Sequence, residues 1–368
     1  GHPPMQIECL QQDLISAILV AQKATVNKST SPVYQYLYLE GVQDSLRVIA
    51  TNQLQTIVTE IPAQVKEQGK ILLPISIFRD IIAKMPSVMI TLSADDKCLM
   101  TVSYVNMKYV IQGMSAATFT FMDGIEEEQS FAIKTEQFKN LVRQTYFTAS
   151  VEENKPTLNG ILLKCKDGKL DVVTSDSYRL SLASDQLEES LNFEMIVPVK
   201  ILFDVLHSAG EEEDVTHVSF NQKYIKIQIG KTILISGLIN GNFINYENII
   251  PKEYKTKMVC DRSVLLSILE RAFLLSDRDT LYPVKFDISY SRLFITSNSK
   301  VGEAFEEIQV QTEGEPLVIA FNSKFFIEVL RNIEYDILSF EFTTSTRTCV
   351  IRPVENQNLI YLILPVRM

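Results

Sequence analysis

The stretch Pro74-Ile75-Ser76-Ile77-Phe78-Arg79-Asp80-Ile81-Ile82-Ala83-Lys84-Met85 decides the fold. Its residues Phe78, Ile81, Ile82 and Met85 fall at i, i+3, i+4 and i+7, the apolar face of a helix, and Pro74 suits a helix start. The pattern returns 124 residues later at Pro198 with Leu202, Val205, Leu206 and Ala209. After another 124 it returns at Asn322 with Phe326, Val329, Leu330 and Ile333. Three copies of one helix predict a chain built by internal repetition.

A second helix repeats with the first. Leu14, Ala17, Ile18 and Ala21 correspond to Phe138, Leu141, Val142 and Thr145 at an offset of 124, and these to Leu265, Ile268, Leu269 and Ala272 at a further 127. Between the helices lie strand-like runs that close on Ser or Thr followed by Asn or Asp: Leu46–Asn52, Leu170–Asp176 and Leu293–Asn298. Tyr224–Ile229 alternates isoleucine with Lys226 and Gln228, the mark of an antiparallel strand with one wet face. Each copy therefore reads as an α+β unit with two helices on antiparallel sheets. The acidic run Asp123–Gln129 and the stretch Pro251–Lys255 break the pattern, so three domains are expected at 5–125, 130–252 and 255–368.

The chain has 368 residues, 46% of them hydrophobic, with 13 Gly and 13 Pro, which excludes disordered and collagen-like architectures. Five cysteines, Cys9, Cys98, Cys165, Cys260 and Cys349, show no metal-binding spacing, so a reducing compartment without structural zinc is expected. No apolar run is long enough to span a membrane, and a cytoplasmic protein is expected. Gly1-His2-Pro3-Pro4 ahead of Met5 reads as an expression-tag remnant, with the natural start at Met5.

Catalytic apparatus is scarce. The three histidines are His2, His207 and His217, and no phosphate-binding or nucleophile-elbow motif occurs. The acidic runs Glu126–Glu128 and Glu211–Asp214 place consecutive carboxylates in different directions, as solvated loops do, rather than around one cation. The polar cluster closest to a site is Ser175-Asp176-Ser177-Tyr178-Arg179, where Asp176 and Arg179 suit either an enzymatic centre or a turn contact. The charges are more informative. Net charge is −10, yet the six helical windows hold eleven basic and eight acidic residues, a surplus of +3 on an acidic body. Helices gathered on one face would attract a polyanion without gripping it.

Thr157-Leu158-Asn159-Gly160-Ile161-Leu162-Leu163, Asp167-Gly168-Lys169-Leu170, Ser175–Ser181 and the terminal Leu364-Pro365-Val366-Arg367-Met368 carry a family likeness. Over Met5 to Met368 the sequence resembles the bacterial DNA polymerase III β subunits, the sliding clamps. Ser177-Tyr178 replaces the family's usual Gly-His, Ile244 stands where Pro is common, and Asn248 where Arg is common. The resemblance implies three clamp-type domains forming half of a six-domain ring, a head-to-tail homodimer around double-stranded DNA, with no catalytic residue, cofactor or metal. It implies DNA-facing residues Lys28, Arg79, Lys84, Lys139, Arg143, Lys200 and Lys324.

It also implies one apolar pocket between the second and third domains that takes Gln-Leu-x-Leu-Phe-like peptides of the replicative polymerase, clamp loader and repair proteins. Carried over residue by residue, that pocket comprises Leu158, Ser175, Ser177, Tyr178, Arg179, Leu180, Ile244, Ile249, Thr348, Leu362, Leu364, Pro365, Val366, Arg367 and Met368. The dimer seam would set Tyr109 and Ile111 near Leu274 and Leu275 of the other subunit. Opposite charge alone suggests Lys108 against Glu303, Glu306 or Glu307.

Overall fold

The computed structural model describes residues 4–25, 31–208, 215–276 and 283–368. Seven α-helices lie among them: α1 (Gln11–Ala21), α2 (Ile75–Lys84), α3 (Thr135–Arg143), α4 (Val199–Leu206), the short α5 (Tyr246–Ile249), α6 (Arg262–Phe273) and α7 (Ser323–Asn332). The repeat is real in three dimensions. Leu14, Ala17, Ile18 and Ala21 are buried on α1, as are Phe138, Leu141 and Val142 on α3 and Leu265, Ile268, Leu269 and Ala272 on α6. Phe78 and Ile82 on α2, Leu202 and Val205 on α4, and Phe326, Val329 and Leu330 on α7 do likewise, whereas Ile81 and Leu206 are only half-buried and Ala209 lies outside the described residues. Two helix starts are capped by side chains. Asp261 accepts from the Ser263 and Val264 amides at 2.9 and 3.2 Å, and Asn322 from the Lys324 amide at 3.0 Å.

By compactness the chain forms two units, Gly1–Phe138 with Lys200–Leu238, and Lys139–Val199 with Ile239–Met368. In the first unit a five-stranded antiparallel sheet runs in the order Gln64–Glu67, Met5–Leu10, Met89–Ala94, Leu99–Tyr104, Met107–Gln112. An eight-stranded one runs Gln129–Lys134, Val215–Phe220, Tyr224–Ile229, Thr232–Gly237, Gln55–Pro62, Ser45–Thr51, Tyr36–Val42, Gly69–Pro74. In the second unit a nine-stranded sheet runs Phe193–Pro198, Gly160–Lys166, Lys169–Ser175, Arg179–Gln186, Leu359–Ile363, Cys349–Pro353, Ile337–Phe342, Thr256–Asp261, Gln311–Gly314. A four-stranded one runs Glu303–Gln309, Arg292–Asn298, Pro283–Ser289, Leu317–Asn322.

Two ladders join successive copies, and they correspond. Gln55 pairs with Ser236, and Arg179, 124 residues on, pairs with Ile363. Side chains repeat the relation. The Gln55 amide donates to Asp204 Oδ2 at 2.9 Å, and the Arg179 guanidinium lies 3.0 Å from Glu328 Oε1, again 124 residues on.

The Ser/Thr-Asn/Asp signature at the strand ends is a repeated turn. Asn52 Oδ1 accepts from the Leu54 and Gln55 amides, Asp176 Oδ1 from those of Tyr178 and Arg179, and Thr51 and Ser175 donate to the Gln55 and Arg179 carbonyls. The third copy closes the same turn with a serine. The Ser299 amide donates to the Gly302 carbonyl at 2.9 Å, as Asn52 does to Gln55 at 3.1 Å and Asp176 to Arg179 at 3.3 Å.

Candidate functional site

A cavity of about 600 Å³ opens in the second unit where the Arg179–Gln186 and Leu359–Ile363 strands pair. Leu180 and Leu362, opposite each other in that ladder, form its buried floor. One wall is Asn248-Ile249-Ile250-Pro251 with Ile244. Another is Thr343, Thr346, Arg347 and Thr348, and the Ser175–Arg179 turn and Leu364 complete it. Of the residues expected from resemblance, Ser175, Ser177, Tyr178, Arg179, Leu180, Ile244, Ile249, Thr348, Leu362 and Leu364 line it. Leu158 does not; it is buried in the 3₁₀ turn Pro156–Asn159. Pro365, Val366, Arg367 and Met368 do not line it either; the Val366 amide is bonded to the Ala320 carbonyl at 2.8 Å. The wall from Thr343 to Arg347 was missed because no periodicity distinguishes a strand-connecting loop that lines a cavity from one that does not.

Arg179 organises the rim. Its side chain is only 7% exposed, its Nε donates to Asp176 Oδ2 at 3.1 Å, and its guanidinium lies 4.6 Å from the centre of the Phe325 ring. The contact with Glu328 lies outside hydrogen-bond geometry and acts through charge. Tyr178 stacks on Phe325 with centroids 5.9 Å apart, and its carbonyl accepts from the Leu364 amide at 2.9 Å. Asp176 is thus fully engaged within its own turn, which favours the turn contact over an enzymatic role. Behind the wall, Tyr246 donates to Asp171 Oδ2 at 2.6 Å and steadies α5; burial, and then Asp171, push its phenol far above the ordinary range. Ser177 has φ 77°, in the left-handed region.

The cations expected to face DNA differ in their surroundings. Lys84 and Lys324 are exposed near the end of α2 and the start of α7. Arg79 bonds to Gln22 and Asp80, and Arg143 to Asn140. Lys200 is held by the Lys23 carbonyl, Gln55 and Asp204 at 2.5, 2.9 and 3.0 Å. Lys139 is buried and Lys28 lies outside the described residues.

At the expected seam, Lys108 and Tyr109 are exposed on the edge strand Met107–Gln112, and Ile111 turns into the core. Tyr109 also lines a smaller hollow of about 270 Å³ with Ile77, Ile81, Lys84 and Met107. Leu274 is 80% exposed at the end of α6, and Leu275 is half-buried beside it. Glu303 lies exposed on the edge strand Glu303–Gln309, while Glu306 is taken by Arg271 at 2.6 Å and Glu307 by Arg292 at 3.4 Å.

Family profiles for the N-terminal, central and C-terminal domains of the DNA polymerase III beta subunit match residues 5–123, 132–245 and 247–367. The chain belongs to that family, the bacterial beta sliding clamps. It is 25% identical to the beta sliding clamp of Bacillus subtilis over 97% of its own length and 98% of the relative's, and 25% identical to that of Chlamydia muridarum over 99% of both. Among solved structures, the B. subtilis sliding clamp superposes with a TM-score of 0.95 at 24% identity over all of both chains. A putative beta subunit from Eubacterium rectale does so with 0.92 at 25% identity, over 98% of this chain and 99% of its own. A Pseudomonas aeruginosa clamp bound to griselimycin gives 0.94 at 22% identity, over 99% of this chain and all of its own.

Proposed function

We propose that this sliding clamp acts as a non-catalytic processivity factor: two copies close head to tail around duplex DNA, and the cavity beneath Arg179 tethers partner proteins by short peptides. The three domains are 5–125, 130–252 and 255–368. The observation that carries the ring is the pair of open edges. Among the described residues, Met107–Gln112 in the first copy and Glu303–Gln309 in the third pair on one side only, with Leu99–Tyr104 and Arg292–Asn298, and both are counterparts of strands that pair on both sides at the two internal junctions. The turn matches Gly302 to Gln55 and Arg179, and the hairpin ladders match Gln112 to Gly237. Copying the internal register sets Gly302 against Ile111 of the partner subunit and Phe305 against Lys108 of the partner subunit. Lys108 then shares a face with Glu303 and Glu307, its diagonal neighbours, and not with Glu306. Leu274 and Leu275 flank the join.

The charge pattern supports encirclement. Exposed Lys84 and Lys324 on an acidic protein attract DNA without fixing it, and Arg79 and Arg143 add to that charge, while Lys200 contributes less because three acceptors already hold it. The cavity suits a peptide with two apolar side chains, since Leu180, Leu362, Ile244 and Ile249 offer an apolar surface and Arg179 a fixed donor.

The test is binding of a fluorescent Gln-Leu-x-Leu-Phe peptide to the chain and to a version lacking Val366, Arg367 and Met368. Micromolar affinity, about 8 kcal/mol, weakened by the truncation, supports the tether. An intact chain that binds nothing overturns it. Retention on closed circular DNA after loading, released when the DNA is cut, tests the ring.

A further inference from the structure

The hairpin Tyr104-Val105-Asn106-Met107 leads into the open edge of the first copy, and Val105 at its tip has φ 48° and is 81% exposed. A β-branched residue in the left-handed region is an outlier that persists only where something compensates its strain. The corresponding hairpin of the second copy, Ile229-Gly230-Lys231-Thr232, has Gly230 at that position with φ 58°. Glycine occupies this conformation without penalty, so the chain uses the relaxed solution in one copy and an exposed, strained valine in the other.

What distinguishes the two hairpins is the strand beyond them. Among the described residues, Thr232–Gly237 is paired within the chain on both sides and Met107–Gln112 on one side only. Carried two residues past Thr232, the internal register brings Gly230 level with Ile61, which is 7% exposed. The third-copy counterpart of Ile61 is Ile308, because Leu46 pairs with Ile61 as Leu293 pairs with Ile308. Ile308 is half-buried on the open edge strand Glu303–Gln309.

We propose that Val105 anchors the contact between two copies of this chain, docking beside Ile308 of the partner subunit. The inference rests on the head-to-tail reading above and adds to it a residue that no internal junction has. The strain is retained because the side chain leaves water only in the dimer, and the rigid tip arrives already oriented.

Sedimentation velocity over a concentration series, on the full chain, tests this with Val105→Gly, Val105→Asn and Gln53→Gly. Glycine and asparagine both accept the left-handed region, so neither Val105 variant should melt below the parent. Gln53, at φ 76° away from the open edges, controls for strain relief alone. The expected result is a dimer dissociation constant raised at least tenfold by both Val105 variants and unchanged within twofold by Gln53→Gly. Val105 variants that dimerise as tightly as the parent overturn the inference. A parent chain that remains monomeric overturns the head-to-tail reading itself.

Discussion

Ser177→Gly should stabilise this protein. At φ 77° the serine pays the left-handed penalty of about 1–2 kcal/mol. Glycine removes that penalty but loses about 0.5–1 kcal/mol more backbone entropy on folding. Nothing else is given up, because the one described hydrogen bond of residue 177 runs from its backbone amide to Ser175 Oγ at 3.2 Å and survives the change. The net gain is about 0.5–1 kcal/mol, or a midpoint shift of roughly 0.2–0.3 M in urea for a slope of about 3 kcal/mol/M. Gln53 occupies the same place in the first copy at φ 76° and shares no partner with Ser177. Gln53→Gly should therefore add a similar amount, about 1–2 kcal/mol for the pair. A midpoint lowered by Ser177→Gly, at unchanged slope, would refute the strain argument and mean that the hydroxyl serves the native state.

In the proposed ring, Lys108→Glu would set like charge beside Glu303 and Glu307 of the partner subunit and should weaken the dimer in ultracentrifugation; an unchanged dissociation constant would exclude that pairing. Thr343 carries a buried hydroxyl without a hydrogen-bond partner, so Thr343→Val should be neutral or stabilise by up to about 1 kcal/mol in thermal melts. Asp204 is buried and accepts from both Gln55 and Lys200; Asp204→Ala removes the acceptor of the Gln55 amide and one of the three that hold Lys200, and should cost about 1–3 kcal/mol by chemical unfolding. Burial pushes the Cys9 and Cys260 thiols up to about 12 from 9.0, with Asp13 and Asp261 adding to it. Their protonated forms are thus favoured by folding, and that stability is complete below about pH 9 and lost as pH rises from 9 towards 12. Melting temperatures across that range, with slow native thiol labelling at pH 8, check it.

Much of this was legible in the sequence because burial leaves a periodic mark. The triplets at 78, 202 and 326 announced helices that pack as expected, and the Ser/Thr-Asn/Asp strand ends announced a turn whose side-chain bonds proved nearly identical in two copies. The floor of the cavity was reachable by resemblance, which named both Leu180 and Leu362, the pair that the ladder sets opposite each other. Thr343, Thr346 and Arg347 were not, because loop residues carry no period and their role depends on which strands a distant ladder brings together. The fates of Lys200 and Lys139 were equally hidden. A charge count cannot tell an ammonium held by Gln55 and Asp204 from one facing solvent.

The division of the middle copy between the two compact units bears on how the molecule comes apart. Helices α3 and α4 each begin in one unit and end in the other, at Phe138/Lys139 and at Val199/Lys200. Repetition counts three modules, but no ladder closes around the middle one alone: its Thr232–Gly237 strand belongs to a sheet with the first copy, and its Arg179–Gln186 strand to a sheet with the third. Calorimetry should accordingly resolve no more than two transitions. An excised middle module would expose two bare strand edges and would be expected to aggregate rather than fold.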